Sequence, residues 1–266
     1  MRNVRTLLFA AAAIGQFGLA ARSFAQQPQA TEVDVELVLA VDVSQSMDFD
    51  EHTLQRLGYV EAFRSRDVID AIASGKRKRI AIAYVEWAGT FPPMYTIPWT
   101  IIDGAAAARA FADRLAVQPI YGEKETSISN ALYNVASSIE GNNIASQRQI
   151  INVSGDGANA VGPPVEKARD DVVKRGIVIN GLPMMLNHPM QYYDIPQLDR
   201  YYEHCVIGGE GAFVAPVTRR EDVTEATRKA LAGGKGATPP AVSSNQPRMD
   251  CMAGEKAWAS APPQRN

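Results

Sequence analysis

Three oxygen-bearing side chains stand two residues apart at the end of an apolar run in the sequence. Asp42, Ser44 and Ser46 follow the stretch Val35 to Val41 in VELVLAVDVSQSM. A carboxylate and two hydroxyls on one short loop are partial ligands for a hard divalent cation such as Mg²⁺, which takes oxygen ligands at about 2.0–2.1 Å. The same residue types also cap helices, so this motif alone is a weak signal. Oxygens from elsewhere in the chain must complete a metal site.

Two later segments supply such oxygens. Thr126 lies directly before a helical pattern in ETSISNALYNV, and Asp156 follows a short apolar strand pattern in INVSGDGAN. Gly155 and Gly157 flank Asp156 and allow a tight turn of the backbone. The three segments together predict one metal site with the side chains of Asp42, Ser44, Ser46, Thr126 and Asp156.

Strand and helix patterns alternate along the chain, and this order decides where the five side chains lie. Strand patterns cover residues 33–41, 79–88, 94–102, 148–154, 177–184 and 212–217. Helical patterns cover residues 50–73 with a break near Ser65, then 105–116, 128–139, 164–175, 195–204 and 220–231. The alternation predicts a doubly wound α/β fold with a mostly parallel central sheet and helices on both faces. Pro98 makes residues 94–102 the expected antiparallel edge strand, and ligands in such folds bind at the carboxyl ends of the strands.

The three-part motif resembles that of the von Willebrand factor type A domain, which is also the inserted domain of integrins. The resemblance covers about Val33 to Leu231 and is nearest to a group of secreted proteobacterial proteins built on this Rossmann-like fold. It implies a metal-ion-dependent adhesion site. In such a site the hydroxyls of Ser44, Ser46 and Thr126 bind the ion, Thr126 directly or through a water. Asp42 and Asp156 act mostly through bound waters and orient the serines.

One position departs from the family's pattern. The family usually carries Thr or Ser directly before the second Asp, whereas this chain has Gly155, with Ser154 one place earlier. The ligand set is complete, but one supporting hydrogen bond of the family's site has no evident donor.

The resemblance also implies a cation and a partner. A hydroxyl-rich set of ligands favours Mg²⁺ over Mn²⁺ or Ca²⁺. With only two carboxylates nearby, the ion keeps residual positive charge and an exchangeable water. An Asp or Glu carboxylate of an unidentified partner protein would replace that water. The expected function is therefore metal-dependent protein binding rather than catalysis.

Two other functions remain open. An Mg²⁺-dependent phosphatase-like hydrolase would use Asp42 as its nucleophile, and a scaffolding protein would carry only a relic metal site. Ser154 lacks the first glycine of a hydrolase G-x-S-x-G motif, and no phosphate-binding loop motif is present. The three histidines do not have zinc-ligand spacing.

The beginning of the chain predicts export. Arg2 and Arg5 precede an apolar run from Leu7 to Ala21, which is followed by Ser23-Phe24-Ala25. This is the pattern of a secretory signal peptide, and the run is too short to span a bilayer comfortably. We expect residues 1–25 to be removed, with an uncut anchor as the alternative. The mature protein is then periplasmic or secreted, with no stable membrane insertion.

Charge and composition limit the partners and divide the chain. Without Arg2, Arg5 and Arg22, the chain keeps 24 of its 27 Lys and Arg against 29 Asp and Glu, a net charge of about −5. Such a charge argues against a nucleic-acid partner. Residues 31–232 are the expected domain, and residues 233–266 are an expected Pro/Gly/Ser-rich tail with little capacity to bury a core.

The chain contains two cysteines, Cys205 and Cys251. An exported protein with two cysteines is compatible with one disulfide, which would tie the tail to the domain. Two independent thiols are the alternative.

Overall fold

The protein is built from alternating strands and helices. The computed structural model describes residues 30–90, 94–186, 195–233 and 247–261 of the 266-residue chain. Within these residues the strands are β1 (Thr31–Glu32), β2 (Val35–Asp42), β3 (Ile80–Trp87), β4 (Met94–Ile102), β5 (Ile144–Ala145), β6 (Gln149–Gly155) and β7 (Ile177–Pro183). The α-helices are α1 (Phe49–Arg64), α2 (Arg66–Ala73), α3 (Ala105–Ala116), α4 (Ile128–Glu140), α5 (Val165–Val173), α6 (Leu198–Tyr201), α7 (Arg220–Leu231) and α8 (Ala253–Ser260). A π-helix, Tyr202–Val206, continues directly from α6.

The main sheet has β2 at its centre, and all eight residues of this strand are buried. In the described part of the chain the strand order is β4-β3-β2-β6-β7, and β1 pairs separately with β5. β2 runs parallel to both β3 and β6, and β6 runs parallel to β7. β4 is antiparallel to β3 at one edge, as Pro98 predicted. The predicted fold class is therefore confirmed, and β2 and β6 end side by side at the same edge of the sheet.

Successive side chains of β2 enter two separate apolar cores. Leu37 and Leu39 pack on one face against α1, α3 and α7, with Tyr59 among their buried neighbours. Val38 and Ala40 pack on the other face against α4, α5 and the π-helix. This alternation follows from the two-residue repeat of a strand. Helices therefore cover both faces of the sheet, as the sequence predicted.

The predicted helical break near Ser65 is present. The backbone N–H of Ser65 donates to the carbonyl of Ala62 at the end of α1, with a distance of 3.1 Å. Its hydroxyl accepts a hydrogen bond of 3.2 Å from the backbone N–H of Val68 at the start of α2. One serine thus ends one helix and begins the next.

The prediction of a strand at residues 212–217 is wrong. This segment runs beside β7 as isolated bridges, Gly181 to Val214 and Met184 to Val217. The N–H groups of Gly181 and Met185 donate to this segment. The donor between them in a parallel ladder would be residue 183, which is proline and has no N–H. The ladder is therefore interrupted at Pro183.

The region after residue 233 also differs from the extended tail that its composition predicted. Residues Ala253–Ser260 form helix α8, and Cys251 makes a disulfide with Cys205 in the π-helix. The predicted disulfide is confirmed. Composition alone missed the helix because its stability depends on this covalent anchor and on packing against the domain, which are not local sequence features.

The predicted helix at residues 195–204 is shorter and less regular than expected. It consists of the four residues of α6 followed by the π-helix. The predicted signal peptide, residues 1–25, lies outside the described residues. Within the described ranges, no helix combines the length and apolar character needed to cross a membrane.

Candidate metal centre

Asp42 is the last residue of β2, and its side chain begins the candidate site. The side chain is fully buried, and its Oδ1 accepts a hydrogen bond of 2.7 Å from the backbone N–H of Ser44. An Asp that accepts from the backbone two residues further on folds the chain into a tight turn. In this turn the Oγ atoms of Ser44 and Ser46 lie 2.9 Å apart. The first motif therefore presents its two hydroxyls together.

The loop after β6 meets this turn. The hydroxyl of Ser46 donates a hydrogen bond of 2.7 Å to Oδ1 of Asp156, a residue 110 positions away in sequence. The two loops meet because β2 and β6 are adjacent parallel strands. Ser44, Ser46 and Asp156 thus form one continuous chain of oxygen atoms.

Thr126 joins the cluster from a third loop. A methyl group placed on Gly157 would lie 3.8 Å from Ser46 Oγ and also 3.8 Å from Thr126 Oγ1. The carbonyl of Thr126 accepts a hydrogen bond of 2.9 Å from the backbone N–H of Ala160, which holds the loop after Asp156 against it. All five predicted residues therefore lie at one edge of the sheet.

Burial makes the negative charge of Asp42 unfavourable. The pKa of Asp42 is raised from 3.8 to about 7, chiefly because burial desolvates the carboxylate; hydrogen bonds from Ser44 oppose this rise and the charge of Glu51 adds to it. Its Oδ2 atom is buried and has no hydrogen-bond partner among the described residues. An unpaired buried carboxylate oxygen costs free energy. A cation nearby would favour the charged form, so this environment fits a bound cation.

The ligand types limit which cation fits. In the described ranges, no group of three or more His, Cys, Asp and Glu side chains is placed to hold a metal ion. The candidate site instead offers three hydroxyls and two carboxylates. Oxygen ligands suit hard cations such as Mg²⁺, Mn²⁺ and Ca²⁺, whereas thiolates and imidazoles suit softer metals.

Two supporting residues were not indicated by the sequence. The side-chain Nε2 of Gln55 donates a hydrogen bond of 3.1 Å to the carbonyl of Asp42, which fixes the end of β2. Asn159 accepts a 3.0 Å hydrogen bond from the backbone N–H of Ser129 in α4, and donates one of 2.8 Å to Glu255 of α8. No local motif marks Gln55. No local motif marks Asn159 either.

Comparison with known protein families agrees with this architecture. The sequence profile of the family described as "Protein of unknown function (DUF1194)" matches residues 32–233. The chain belongs to the DUF1194 family. A comparison of the sequence with curated proteins finds no match.

The DUF1194 chain is also similar to several solved structures. Proximal thread matrix protein 1 from the mussel byssus, with a zinc-occupied MIDAS motif, aligns with 12% identity and a TM-score of 0.56 over 77% of this chain and 48% of that one. The pilus adhesin SpaC from Lactobacillus rhamnosus GG aligns with 9% identity and a TM-score of 0.56 over 75% of this chain and 30% of that one. A von Willebrand factor type A protein from Catenulispora acidiphila aligns with 14% identity and a TM-score of 0.49, over 76% and 43% of the two chains.

The likenesses to the mussel protein and to SpaC, both with a TM-score of 0.56, establish the fold of the DUF1194 chain. The described residues have the fold that the resemblance to von Willebrand factor type A domains implied, with the mostly parallel sheet and two helical layers described above. The chain spans about half the length of the mussel protein and about a third of the pilus adhesin. At 9–12% identity, the similarity concerns the fold alone.

Proposed function

We propose that this DUF1194 protein is a metal-dependent protein-binding module of the adhesion type. A divalent cation, Mg²⁺ in preference to Mn²⁺ or Ca²⁺, is held by the hydroxyls of Ser44, Ser46 and Thr126. Asp42 and Asp156 act mostly through waters bound to the ion. An Asp or Glu carboxylate of an unidentified partner protein occupies a remaining position on the ion.

The proposal depends on one observation, the convergence of hydroxyl and carboxylate oxygens from three loops. The 2.9 Å contact between Ser44 and Ser46 and the 2.7 Å hydrogen bond from Ser46 to Asp156 carry this observation. Thr126 supports the same site, because its Oγ1 and the Oγ of Ser46 each lie 3.8 Å from the position of a methyl group on Gly157. A magnesium ion needs several oxygen ligands of this kind and retains some of its waters.

The charge balance of the site favours capture of an acidic group. Hydroxyls are neutral, so the ion keeps much of its positive charge even with Asp42 and Asp156 nearby. A carboxylate that replaces a bound water then makes a strong, charge-assisted contact in a partly desolvated place. The mussel byssus protein with its zinc-occupied MIDAS motif and the pilus adhesin SpaC, which have a similar fold, support this interpretation.

The position of Asp42 favours binding over phosphoryl transfer. A nucleophilic carboxylate must reach the substrate, yet the Asp42 side chain is fully buried and its Oδ1 accepts from the backbone of Ser44. A scaffolding protein with a relic site, the other alternative, would have no affinity for the cation. A cation titration therefore separates that alternative from the proposed function.

We also propose that the mature protein works in the periplasm or outside the cell. The disulfide between Cys205 and Cys251 supports this location, because disulfides persist mainly in oxidising compartments. The predicted signal peptide supports it too. Mass spectrometry of the mature protein from a periplasmic fraction is expected to give a first residue near Gln26. A mass that includes residues 1–25 would contradict export by cleavage.

Water proton relaxation with Mn²⁺ tests the proposed function. Mn²⁺ bound to the wild-type protein is expected to enhance the relaxation of water protons, since the ion retains an exchangeable water. Addition of N-acetylglutamate is expected to reduce this enhancement, because its carboxylate replaces the water. The diamide of N-acetylglutamate has nearly the same size, carries neither carboxylate, and is expected to have no effect.

The variant Asp42→Ala provides the control for the site. It is expected to lower Mn²⁺ affinity about 10- to 100-fold, the usual effect of removing a residue that orients metal ligands. Unchanged affinity in this variant would contradict the site. Mn²⁺ binding that is insensitive to N-acetylglutamate would instead contradict the capture of a carboxylate. Chelator-sensitive capture of envelope proteins by the wild-type chain, and not by Asp42→Ala, would then provide partners for identification.

A further inference from the structure

Gly155 lacks the hydroxyl that the family's pattern has at this position, and Asp42 and Tyr202 occupy the space beside it. A methyl group placed on Gly155 would lie 2.6 Å from Asp42 Oδ2 and 3.1 Å from the phenolic Oη of Tyr202. Position 155 therefore has no room for the Thr or Ser side chain that the resemblance led us to expect. The phenolic oxygen of Tyr202 lies next to the place of the missing hydroxyl.

Ser154, the neighbouring hydroxyl in sequence, cannot take this role because it faces the other side of the sheet. Its Oγ lies 3.5 Å from the phenolic oxygen of Tyr59, which belongs to the core around α1. Val153 and Tyr202 belong to the opposite core. Side chains alternate between faces along a strand, so position 155 shares the face of Val153 and Tyr202.

The phenol of Tyr202 is well placed to support Asp42. Tyr202 is fully buried, and its Oη donates to the carbonyl of Gly155 at 3.4 Å. This distance exceeds the range of about 2.5–3.0 Å that is usual for O–H···O hydrogen bonds. The hydrogen bond to the Gly155 carbonyl is therefore weak, and the phenol can donate to another acceptor instead. Asp42 Oδ2, the carboxylate oxygen beside the same position, is buried and lacks a hydrogen-bond partner among the described residues.

The surrounding electrostatics are consistent with a phenol that stays protonated. Burial raises the pKa of Tyr202 well above its ordinary value, and the negative charges of Asp42 and Asp156 raise it further. A protonated phenol has a hydrogen to donate to a carboxylate. A phenol is protonated at neutral pH even at its ordinary pKa of about 10.

The backbone holds Tyr202 at this position through an uncommon element. Tyr202 begins the π-helix Tyr202–Val206, and π-helices occur frequently at functional sites. The N–H of Ile207 donates to the carbonyl of Tyr202 at 3.0 Å, and Cys205 in the same π-helix is tied to Cys251. The ring of Tyr202 is thus fixed on the sheet by a short, covalently anchored segment.

We propose that Tyr202 is a positioning residue of the metal centre, whose phenolic hydroxyl replaces the side-chain hydroxyl that Gly155 lacks and hydrogen bonds to Oδ2 of Asp42. The inference rests on the proposed function, because it assigns a role around the same cation. In the metal-bound protein this hydrogen bond fixes the Asp42 carboxylate toward a cation-bound water.

The test compares Mn²⁺ binding in wild-type protein, Tyr202→Phe and the matched control Tyr59→Phe. Each variant removes one buried phenolic oxygen and keeps its aromatic ring, and the two hydroxyls face opposite sides of the sheet. Tyr202→Phe is expected to lower Mn²⁺ affinity about tenfold, as loss of a group that orients a ligand does. Its bound Mn²⁺ is also expected to give a changed electron paramagnetic resonance spectrum. Tyr59→Phe is expected to match the wild type in both measurements.

Three outcomes separate the inference from the proposed function. Wild-type protein that binds no Mn²⁺ would overturn both. Wild-type protein that binds Mn²⁺, with equal affinity and spectrum in Tyr202→Phe, would overturn the inference alone. Lowered affinity in Tyr202→Phe with a normal Tyr59→Phe would support it.

A measurement on the unmodified chain covers the case in which Tyr202→Phe fails to fold. The ¹³Cζ resonance of Tyr202 is expected to shift when Mg²⁺ is added, because its hydrogen-bond acceptor changes. The corresponding resonance of Tyr59 is expected to stay in place. A Tyr202 resonance that is unchanged at saturating Mg²⁺ would overturn the inference.

Discussion

Gly254 of helix α8 lies directly against the backbone carbonyl of Asn159, in the loop that follows Asp156. A methyl group on Gly254 would overlap this carbonyl and would lie 2.8 Å from Cβ of Ala158. The amide of Asn159 also donates to Glu255 at 2.8 Å. The C-terminal segment therefore packs closely on one of the three loops of the candidate site.

Substitution Gly254→Ala tests this packing. Alanine is normally favoured over glycine in a helix by about 0.5–1 kcal/mol. The overlap with Asn159 makes the alanine destabilising at this position. We expect a loss of about 1–3 kcal/mol in the free energy of unfolding, measured with urea. We also expect faster hydrogen exchange in residues 253–260.

An exposed residue of the same helix provides the control. Ala259→Ser is expected to change the free energy of unfolding by less than about 0.5 kcal/mol. A Gly254→Ala protein that is more stable than wild type would show that α8 does not pack on Asn159.

The disulfide between Cys205 and Cys251 joins this segment to the π-helix that carries Tyr202. It links residues 46 apart in sequence, a separation for which loop-closure entropy gives about 4 kcal/mol of stabilisation. The double variant Cys205→Ser/Cys251→Ser is expected to lose about this much free energy of unfolding and therefore to unfold at a lower urea concentration. Its Mn²⁺ affinity is expected to fall as well, because Tyr202 loses its anchor. Dithiothreitol should destabilise the wild type and leave the variant unchanged. A wild type whose unfolding is insensitive to the reductant would contradict stabilisation by this disulfide.

A buried ion pair holds the loop that leads toward Thr126. Arg56 of α1 bonds to Glu86 of β3, with side chains 6% and 1% exposed, and also donates to the carbonyl of Gln118 at 3.0 Å. Burial raises the pKa of Glu86, and Arg56 lowers it. Arg56→Ala leaves this carboxylate buried without its cation, so we expect a loss of about 3–5 kcal/mol in stability.

The double variant Arg56→Ala/Glu86→Gln is the companion measurement. It removes the buried charge and is expected to recover part of the lost stability. The exposed pair of Arg220 with Glu61, at 2.9 Å and with both side chains 46% exposed, is the matched control. Arg220→Ala is expected to cost less than about 1 kcal/mol. Equal losses for Arg56→Ala and Arg220→Ala would contradict the structural role of the buried pair.

Gly155 is expected to tolerate no side chain. The added methyl of Gly155→Ala would lie 2.6 Å from Oδ2 and 2.9 Å from Cβ of Asp42, which forces the carboxylate away from its place. We expect Mn²⁺ affinity to fall about tenfold or more in isothermal titration. Gly104→Ala, where an added methyl meets no atom within 4 Å, is expected to keep wild-type affinity. Wild-type affinity in Gly155→Ala would place the Asp42 carboxylate outside the metal centre.

Sequence patterns predicted the parts of this protein that depend on local order. Strand β2 is a continuous apolar run, and Asp42 and Asp156 each follow such a run, so their meeting at one sheet edge followed from the alternation of strands and helices. The break at Ser65 was also readable, since serine caps helices.

The parts that were missed depend on contacts between distant segments. Tyr202 and Asn159 form hydrogen bonds to residues tens of positions away, and no spacing marks such contacts. The strand predicted at 212–217 has a suitable apolar pattern, but its partner strand carries Pro183, which interrupts the ladder. Helix α8 follows a Gly- and Pro-rich stretch, and its packing on Asn159 is a tertiary feature that composition does not encode.

Anomalous diffraction from a crystal of this protein soaked with Mn²⁺ shows whether a cation binds among these oxygens. A single strong peak is expected at the edge of the sheet, within about 2.0–2.4 Å of the hydroxyl oxygens of Ser44 and Ser46 and near that of Thr126. Asp42 and Asp156 should contact waters on that ion. Saturating Mn²⁺ with no peak among these oxygens, or a peak only at another surface, would contradict the metal centre and the function proposed from it.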